Sequence, residues 1–294
     1  MSSHDSGRLS DNALSGFSNA VLYDEHRPSY PPHAVATLLD AAGVSNLRGA
    51  RLIDLAAGTG KFTELLAARQ EQFNIVAVEP HSGMREELVR KDLKNVIVND
   101  GLSTSIPAGN NTIDAVFVAQ AFHWFANEES LLEIHRVLKP GGGLGLIWNA
   151  EDYNTPSTYP IKTEWATTLR RHLFALDDVT GDREPRFRHD RWRKAFEDQV
   201  SSTPITAALV GKTSSLFSLP LGEQKVEWTV WLDKEGLWKR LSTLSHVANL
   251  VGEKLEETRR IFDEALAGID VERNQQGQVA VHGTTVVVWA SKIP

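Results

Sequence analysis

Asp54, Gly58, Gly60 and Glu79 are the residues whose types and spacing first suggest chemistry. The segment Leu52-Ile53-Asp54-Leu55-Ala56-Ala57-Gly58-Thr59-Gly60-Lys61 runs from an apolar stretch through small residues into a helical pattern. Small residues let the backbone approach a ligand, and a helix N-terminus offers unpaired N–H groups. A P-loop needs Gly-x-x-x-x-Gly-Lys-Ser/Thr. Here Leu55 holds the first glycine position and Phe62 the hydroxyl position, so that reading fails. A dinucleotide fingerprint needs Gly-x-Gly-x-x-Gly, and Thr63 stands at its third glycine. Glu79 ends the next apolar run, about 20 residues beyond the glycines, where an acidic side chain can accept both hydroxyls of a ribose. His123, in Phe122-His123-Trp124-Phe125, has the side chain suited to proton transfer near neutral pH; it serves either as a base or only to orient the loop.

A repeating strand–helix rhythm must position these groups. Strands are predicted at 51–56, 74–78, 95–98, 113–118 and 144–148, and helices at 61–69, 82–89 and 128–138. Pro31-Pro32 opens a further helix before the first strand, with Val35, Leu38, Leu39 and Ala42 at helical spacing. Strands alternating with helices imply a parallel sheet covered on both faces, doubly wound by right-handed crossovers. Ligands bind such sheets at the carboxyl ends of the strands, which is where Gln120 and Ala121 fall. After residue 150 the rhythm breaks. Helices are expected at 158–175, 190–199, 236–250 and 254–266, a strand at 226–232, and a terminal hairpin of 278–282 and 285–290 turning at Gly283.

Composition narrows the function classes. The 294 residues carry 31 Lys+Arg against 38 Asp+Glu, a net charge of −7, and no basic stripe, which disfavours nucleic acid as a partner. The chain has no cysteine, so disulfides, thiolate metal sites and a thiol nucleophile are excluded. Its histidines show neither His-x-x-x-His spacing nor an adjacent acidic cluster, and there is no Gly-x-Ser-x-Gly elbow. The first twenty residues have no apolar run and no basic leader, and residues 1–15 are Ser-rich and expected to be disordered. No stretch approaches 18 apolar residues, so no membrane partner and a cytoplasmic location are expected. Arg183, Arg186, Arg188, Arg191, Arg193 and Lys194 mix with Asp182, Glu184 and Asp190. They are able to capture a carboxylate, but a solvated, self-paired loop is the favoured reading.

The pattern Asp54-x-Ala56-x-Gly58-x-Gly60 resembles the acidic-x-Gly-x-Gly-x-Gly motif of class I S-adenosylmethionine-dependent methyltransferases, with Ala56 replacing a glycine. More narrowly, the chain resembles the type-11 group, which includes fungal trans-aconitate methyltransferase-like proteins and actinobacterial small-molecule methyltransferases. The resemblance is carried by Tyr23…Arg27-Pro28-Ser29-Tyr30-Pro31, residues 52–63, VAVEP at 76–80 with Met84, GLSTSIP at 101–107, AQAFHWF at 119–125, residues 133–149 and TTVVVWASK at 284–292.

It implies a Rossmann-like sheet of seven strands in the order 3-2-1-4-5-7-6, with the last strand antiparallel and a helical cap. It divides the chain into a tail and lid at 1–44, a cofactor-binding core at 45–152, a cap at 153–225 and the final strands with inserted helices at 226–294. S-adenosylmethionine is the implied cofactor. Asp54 would face its amino group, and Ala56, Gly58 and Gly60 would cradle the methionine part. Glu79 would hold the ribose, and Pro80 and Met84 the adenine face. Gly101, Leu102 and Ser103 would line the adenine edge, and Arg27 in a lid would meet the carboxylate. Gln120 and Ala121 complete the cofactor set. Tyr23, Tyr30, Trp124 and Trp148 are the candidate substrate wall, with Ser242, Ser245 and His246 a weaker one. The implied reaction is methyl transfer to an O, S or N atom of a small molecule, carboxylates and secondary metabolites among them. The alternative is a protein of the same fold that binds the cofactor without transferring methyl.

Overall fold

The computed structural model describes residues 20–200 and 215–293, so the Ser-rich segment 1–15 lies outside the described residues. A short helix α1 (Ala20–His26) precedes α2 (Pro32–Ala41), which Pro31 and Pro32 open. Next come β1 (Arg51–Leu55), α3 (Lys61–Ala67), β2 (Asn74–Val78), α4 (Ser82–Arg90), β3 (Val96–Asn99) and β4 (Ile113–Ala119). A 3-10 turn at Phe122–Trp124 leads to α5 (Glu128–Val137) and β5 (Leu138–Glu151). The later part holds α6 (Glu164–Thr180), α7 (Lys194–Val200), β6 (Gly222–Leu232), α8 (Lys234–Ser242), α9 (Ser245–Ala248), α10 (Gly252–Ala265) and β7 (Val279–Ser291).

The strands form one seven-stranded sheet in the order β3-β2-β1-β4-β5-β7-β6, as the resemblance implied. β1 through β5 pair in parallel, and β7 is antiparallel to both β5 and β6. Alternation along the strands splits the core in two. Ile53, Leu55, Val116, Val118, Leu144, Leu146 and Trp148 face a cluster under α5 and the residue-190 region. Leu52, Ala115, Phe117 and Ile147 face α2 and α3. A third cluster packs α6, α8 and α10 over the far ends of β6 and β7, around Trp165, Leu237, Phe262 and Val281.

Four expectations from the sequence are corrected. The hairpin at Gly283 does not exist, because residues 279–291 form one strand in which Gly283 pairs with Trp228 on one side and Glu151 on the other. Strand β5 is longer than expected, since Pro140 and the glycines after it are absorbed by a register shift between Ile113 and Ala115 of β4. The helix expected at 190–199 begins only at Lys194 as α7, because Asp190 sits in the left-handed region at φ 54 and Arg191–Arg193 form a 3-10 turn. The helix expected at 236–250 stops at Ser242 and restarts as α9 after Leu244 turns extended, which brings Ser245 and His246 over the sheet edge. Among the described residues no helix is long and apolar enough to cross a membrane.

Gly283 is small because Trp228 lies across it: an added Cβ would come within 2.4 Å of the indole and 2.8 Å of the Ala150 carbonyl oxygen. Overpacking of this kind costs about 1–3 kcal/mol. Gly283→Ala is therefore expected to lower the urea-unfolding free energy by that amount. A variant as stable as the parent would show that the Trp228 ring moves aside freely.

Candidate active site

The turn after β1 gives each of its small residues a different task. Asp54 is fully buried; its Oδ2 accepts from Thr63 Oγ1 at 2.6 Å, while Oδ1 has no hydrogen-bond partner among the described residues. Burial pushes its carboxyl up to about 7, against the Thr63 hydrogen bond and with a further push from Glu79. Ala56 stands at φ 57, a left-handed conformation that costs an L-residue roughly 1–2 kcal/mol. Gly58 has the same φ, and a Cβ there would stand in ordinary contact with Met84 Sδ at 3.7 Å. Gly60 is different: a Cβ there would lie 2.2 Å from Leu88 Cδ1, so its hydrogen lets α4 pack against the turn.

Glu79 follows β2 and is buried, with Oε2 accepting from the Gly58 N–H and Oε1 from the His81 N–H, both at 2.8 Å. Burial pushes it up to about 7, opposed by those two hydrogen bonds and by Arg85. Pro80 and the buried Met84 flank it, and the Arg85 guanidinium donates to the carbonyls of Glu79 and Pro80. Gly101, Leu102 and Ser103 follow β3 on the same edge. Gly101 packs on Val78, Leu102 bridges to Ser105, and the Ser103 hydroxyl pairs with that of Ser130 at 2.8 Å.

Helix α1 lies over this turn. Asp24 accepts from Thr59 Oγ1 at 2.6 Å and from Lys91 Nζ at 2.9 Å. On its other side, Arg27 Nη2 donates to the Thr243 carbonyl at 3.2 Å and Arg240 Nε donates to the His26 carbonyl at 3.1 Å. Helix α1 and the residue after it are thus tied to both the glycine turn and the end of α8.

Beside the turn lies a small cleft with a cavity volume of about 70 Å³. Tyr23 and Arg27 of the lid line it together with Gln120 and Asn149 at the ends of β4 and β5. His123 and Trp124 form one side. Asn154, Arg186 and Arg188 of the cap line it too, as do Ser245 and His246. Gln120, at φ 62, donates from Nε2 to the Asn149 carbonyl at 2.7 Å. The Asn149 amide donates to the Ser29 carbonyl at 3.1 Å and accepts from Thr285 Oγ1 at 2.5 Å. His123 Nδ1 accepts from the Trp148 indole N–H at 3.2 Å. Burial, with Arg186, His189, Arg188 and Arg27 adding positive field, pushes the imidazole down to about 3.

Of the candidate substrate wall, Tyr23 and Trp124 line the cleft; Tyr30 and Trp148 do not. Tyr30 is buried edge-on against Phe62 in the core. Trp148 is fully buried and stacks on Phe187 at 5.0 Å and Trp192 at 4.8 Å, touching the site only through its N–H to His123. The basic loop is self-paired, as favoured, but not wholly solvated. Arg186 and Arg188 are buried against Asp177 and reach the cleft. Sequence reasoning passed over Asn149, Asn154 and Asp177. Asn149 had one legible signal, a polar residue ending an otherwise apolar strand.

The described residues 53–146 match the family described as "Methyltransferase domain". An uncharacterized methyltransferase of Mycobacterium tuberculosis is 43% identical over 142 residues, covering 48% of this chain and 55% of that protein. An uncharacterized methyltransferase of Schizosaccharomyces pombe is 41% identical over 134 residues, covering 46% and 52%. The matched region thus spans about half the length of these curated relatives. In structure, the chain is similar to a phosphoethanolamine N-methyltransferase of Haemonchus contortus solved with phosphomonomethylethanolamine and S-adenosylhomocysteine. That match has TM-score 0.54 and 12% identity, over 98% of this chain and 61% of that one. The YcgJ protein of Bacillus subtilis matches with TM-score 0.51 and 17% identity, over 89% and 99%. Residues 53–146 thus match a methyltransferase domain, within a sheet ordered β3-β2-β1-β4-β5-β7-β6.

Proposed function

We propose that this chain transfers a methyl group from S-adenosylmethionine to an oxygen, sulfur or nitrogen atom of a small molecule. The observation that carries the reading is the buried Asp54 Oδ1 left without a partner among the described residues, on a turn whose Gly58 N–H is held by Glu79. An unpaired buried carboxylate oxygen suits a cationic amino group. Each Glu79 oxygen already holds a backbone N–H and keeps a second lone pair for a ribose hydroxyl. Pro80, Met84, Gly101, Leu102 and Ser103 would flank the base, and Arg27 would meet the carboxylate. When bound, the cofactor's sulfonium supplies a methyl group that is already activated. The chain's own task is then to exclude water and hold the acceptor in line, within about 3–3.5 Å of the reacting carbon. Lid helix α1 and the cap serve the first need; Gln120, Asn149 and His123 serve the second.

His123 enters this scheme as a donor rather than a base. Its Nδ1 lone pair is taken by the Trp148 N–H, which leaves the proton on Nε2. A ring with so low a pKa is also a poor proton acceptor at neutral pH. An acceptor that is already anionic or nucleophilic needs no base.

The reading is tested by incubating the purified chain with methyl-labelled S-adenosylmethionine and a small-molecule extract. A labelled product by mass spectrometry is expected. Tight cofactor binding with no label in any fraction would instead favour a cofactor-binding protein that does not transfer methyl. His123→Gln is expected to keep turnover within about tenfold of the parent. It should leave no new inflection in the rate between pH 5 and 8. A collapse of rate together with a lost inflection would restore the base role.

Glu79 also links stability to pH. Its folded carboxyl is pushed up to about 7 from an ordinary 4.5, so its neutral form is favoured on folding. That stability is fully present below pH 4.5 and is lost as pH rises through 7. Measured without ligand, the stability of Glu79→Gln relative to the parent should improve by roughly 2–3 kcal/mol between pH 4 and pH 8. A pH-independent difference would place the titration elsewhere.

A further inference from the structure

We infer that Arg186 and Arg188 form a paired guanidinium site that holds an acid group of the substrate. This rests on the reading of the cleft as a methyl-acceptor site. Both side chains are buried, at 6% and 3% exposure, and both line the cleft. A guanidinium has five N–H donors in a fixed fork, and burying it leaves each donor in need of an acceptor.

The acceptors present do not suffice. Arg188 commits Nη2 to Asp177, at 2.6 and 2.7 Å. Its Nη1 has only long contacts, 3.3 Å to Asn154 Oδ1 and 3.4 Å to His246 Nδ1. Arg186 commits Nη2 to Asp182 at 2.5 Å, and its Nη1 donates to the Glu184 carbonyl at 3.2 Å and reaches Asp177 at 3.5 Å. The Nε groups of both arginines have no partner among the described residues.

The charges lean the same way. Asp177 is shared among Arg186, Arg188 and His189. Arg27 adds a third cation to the cleft, and no acidic side chain among the described residues lines it. His123 and His246 add no charge of either sign to the cleft, since burial and the arginines disfavour their cationic forms. With Arg27 assigned to the cofactor's carboxylate, Arg186 and Arg188 are the cations left for the substrate. A carboxylate or a phosphate accepts from both arms of such a fork, so the shared chemistry is an oxyanion with at least two acceptor oxygens. The same groups select against the neutral amide or ester of that molecule, which would leave the remaining N–H donors without a charged acceptor.

The test uses the full chain saturated with S-adenosylhomocysteine. Calorimetry is run with acetate, succinate, citrate, inorganic phosphate and glycerol 3-phosphate, with succinamide and glycerol as neutral counterparts. At least one anion should bind, with its neutral counterpart at least tenfold weaker, and affinity should fall as salt rises. The carboxylates and the phosphates separate the two sources of the oxyanion. Arg186→Gln and Arg188→Gln should each weaken that anion tenfold or more, while S-adenosylhomocysteine affinity stays within threefold. Because Arg188 also pairs with Asp177, Arg186→Lys and Arg188→Lys are included. They keep the charge, lose the fork and should weaken the anion less than the Gln variants. Anions no tighter than their neutral counterparts, on a chain that does bind S-adenosylhomocysteine, overturn the inference and leave the cofactor reading intact. A chain that binds no S-adenosylhomocysteine overturns the cofactor reading itself.

Discussion

The side-chain amide of Asn149 is the contact on which the site most depends. It stands at the end of β5, accepts from Thr285 on β7 and donates to the Ser29 carbonyl just beyond the lid helix. Its own carbonyl receives the Gln120 side chain from the end of β4. One buried residue therefore fixes the inserted antiparallel strand, the exit of the lid and the left-handed turn at Gln120. A network of this kind is rigid when every member is satisfied and costly when one is lost. The lid, the floor and the far half of the sheet are accordingly placed by the same few hydrogen bonds.

Around that node the protein keeps charge out of water in two opposite ways. On the cofactor side two carboxylates, Asp54 and Glu79, are buried with hydrogen bonds but without a direct guanidinium partner. On the other side of the cleft, Arg186 and Arg188 are buried against Asp177 and Asp182, with their Nε groups left over. Buried unpaired charge destabilises a ligand-free protein, and a ligand carrying the complementary charge relieves it. The site is thus divided into an acidic half that suits a cation and a basic half that suits an anion. The lid joins them, with Asp24 turned to one and Arg27 to the other.

The parallel half of the fold was legible because its signals are local. Short apolar runs, helical spacing and glycine punctuation all appear within a few residues, and β1 to β4 fall within a residue or so of expectation. The places of Asp54 near the end of β1 and of Glu79 just after β2 were legible for the same reason. The misreadings came from contacts distant in sequence. Gly283 looked like a turn because the Trp228 ring that requires it lies on another strand. Trp148 looked like a cleft wall from its place at a strand end, but its face of the strand meets Phe187 and Trp192. Arg186 and Arg188 looked solvated beside nearby acids; Asp177, one helix earlier, buries them.

The position of β7 also bears on the order in which the molecule can form. This strand lies between β5 and β6, yet it is the last of the seven along the chain. During synthesis β1 to β5 can assemble while the outer side of β5 presents unpaired backbone, and β6 has no sheet to join. Open edges of that kind invite pairing with other chains. The sheet, the Asn149–Thr285 bond and the cap that rests on β7 can close only after residues 279–291 have left the ribosome. Completion of the antiparallel side of the sheet is therefore a late, long-range event of the kind that folds slowly, whereas the parallel half is formed from neighbours in sequence.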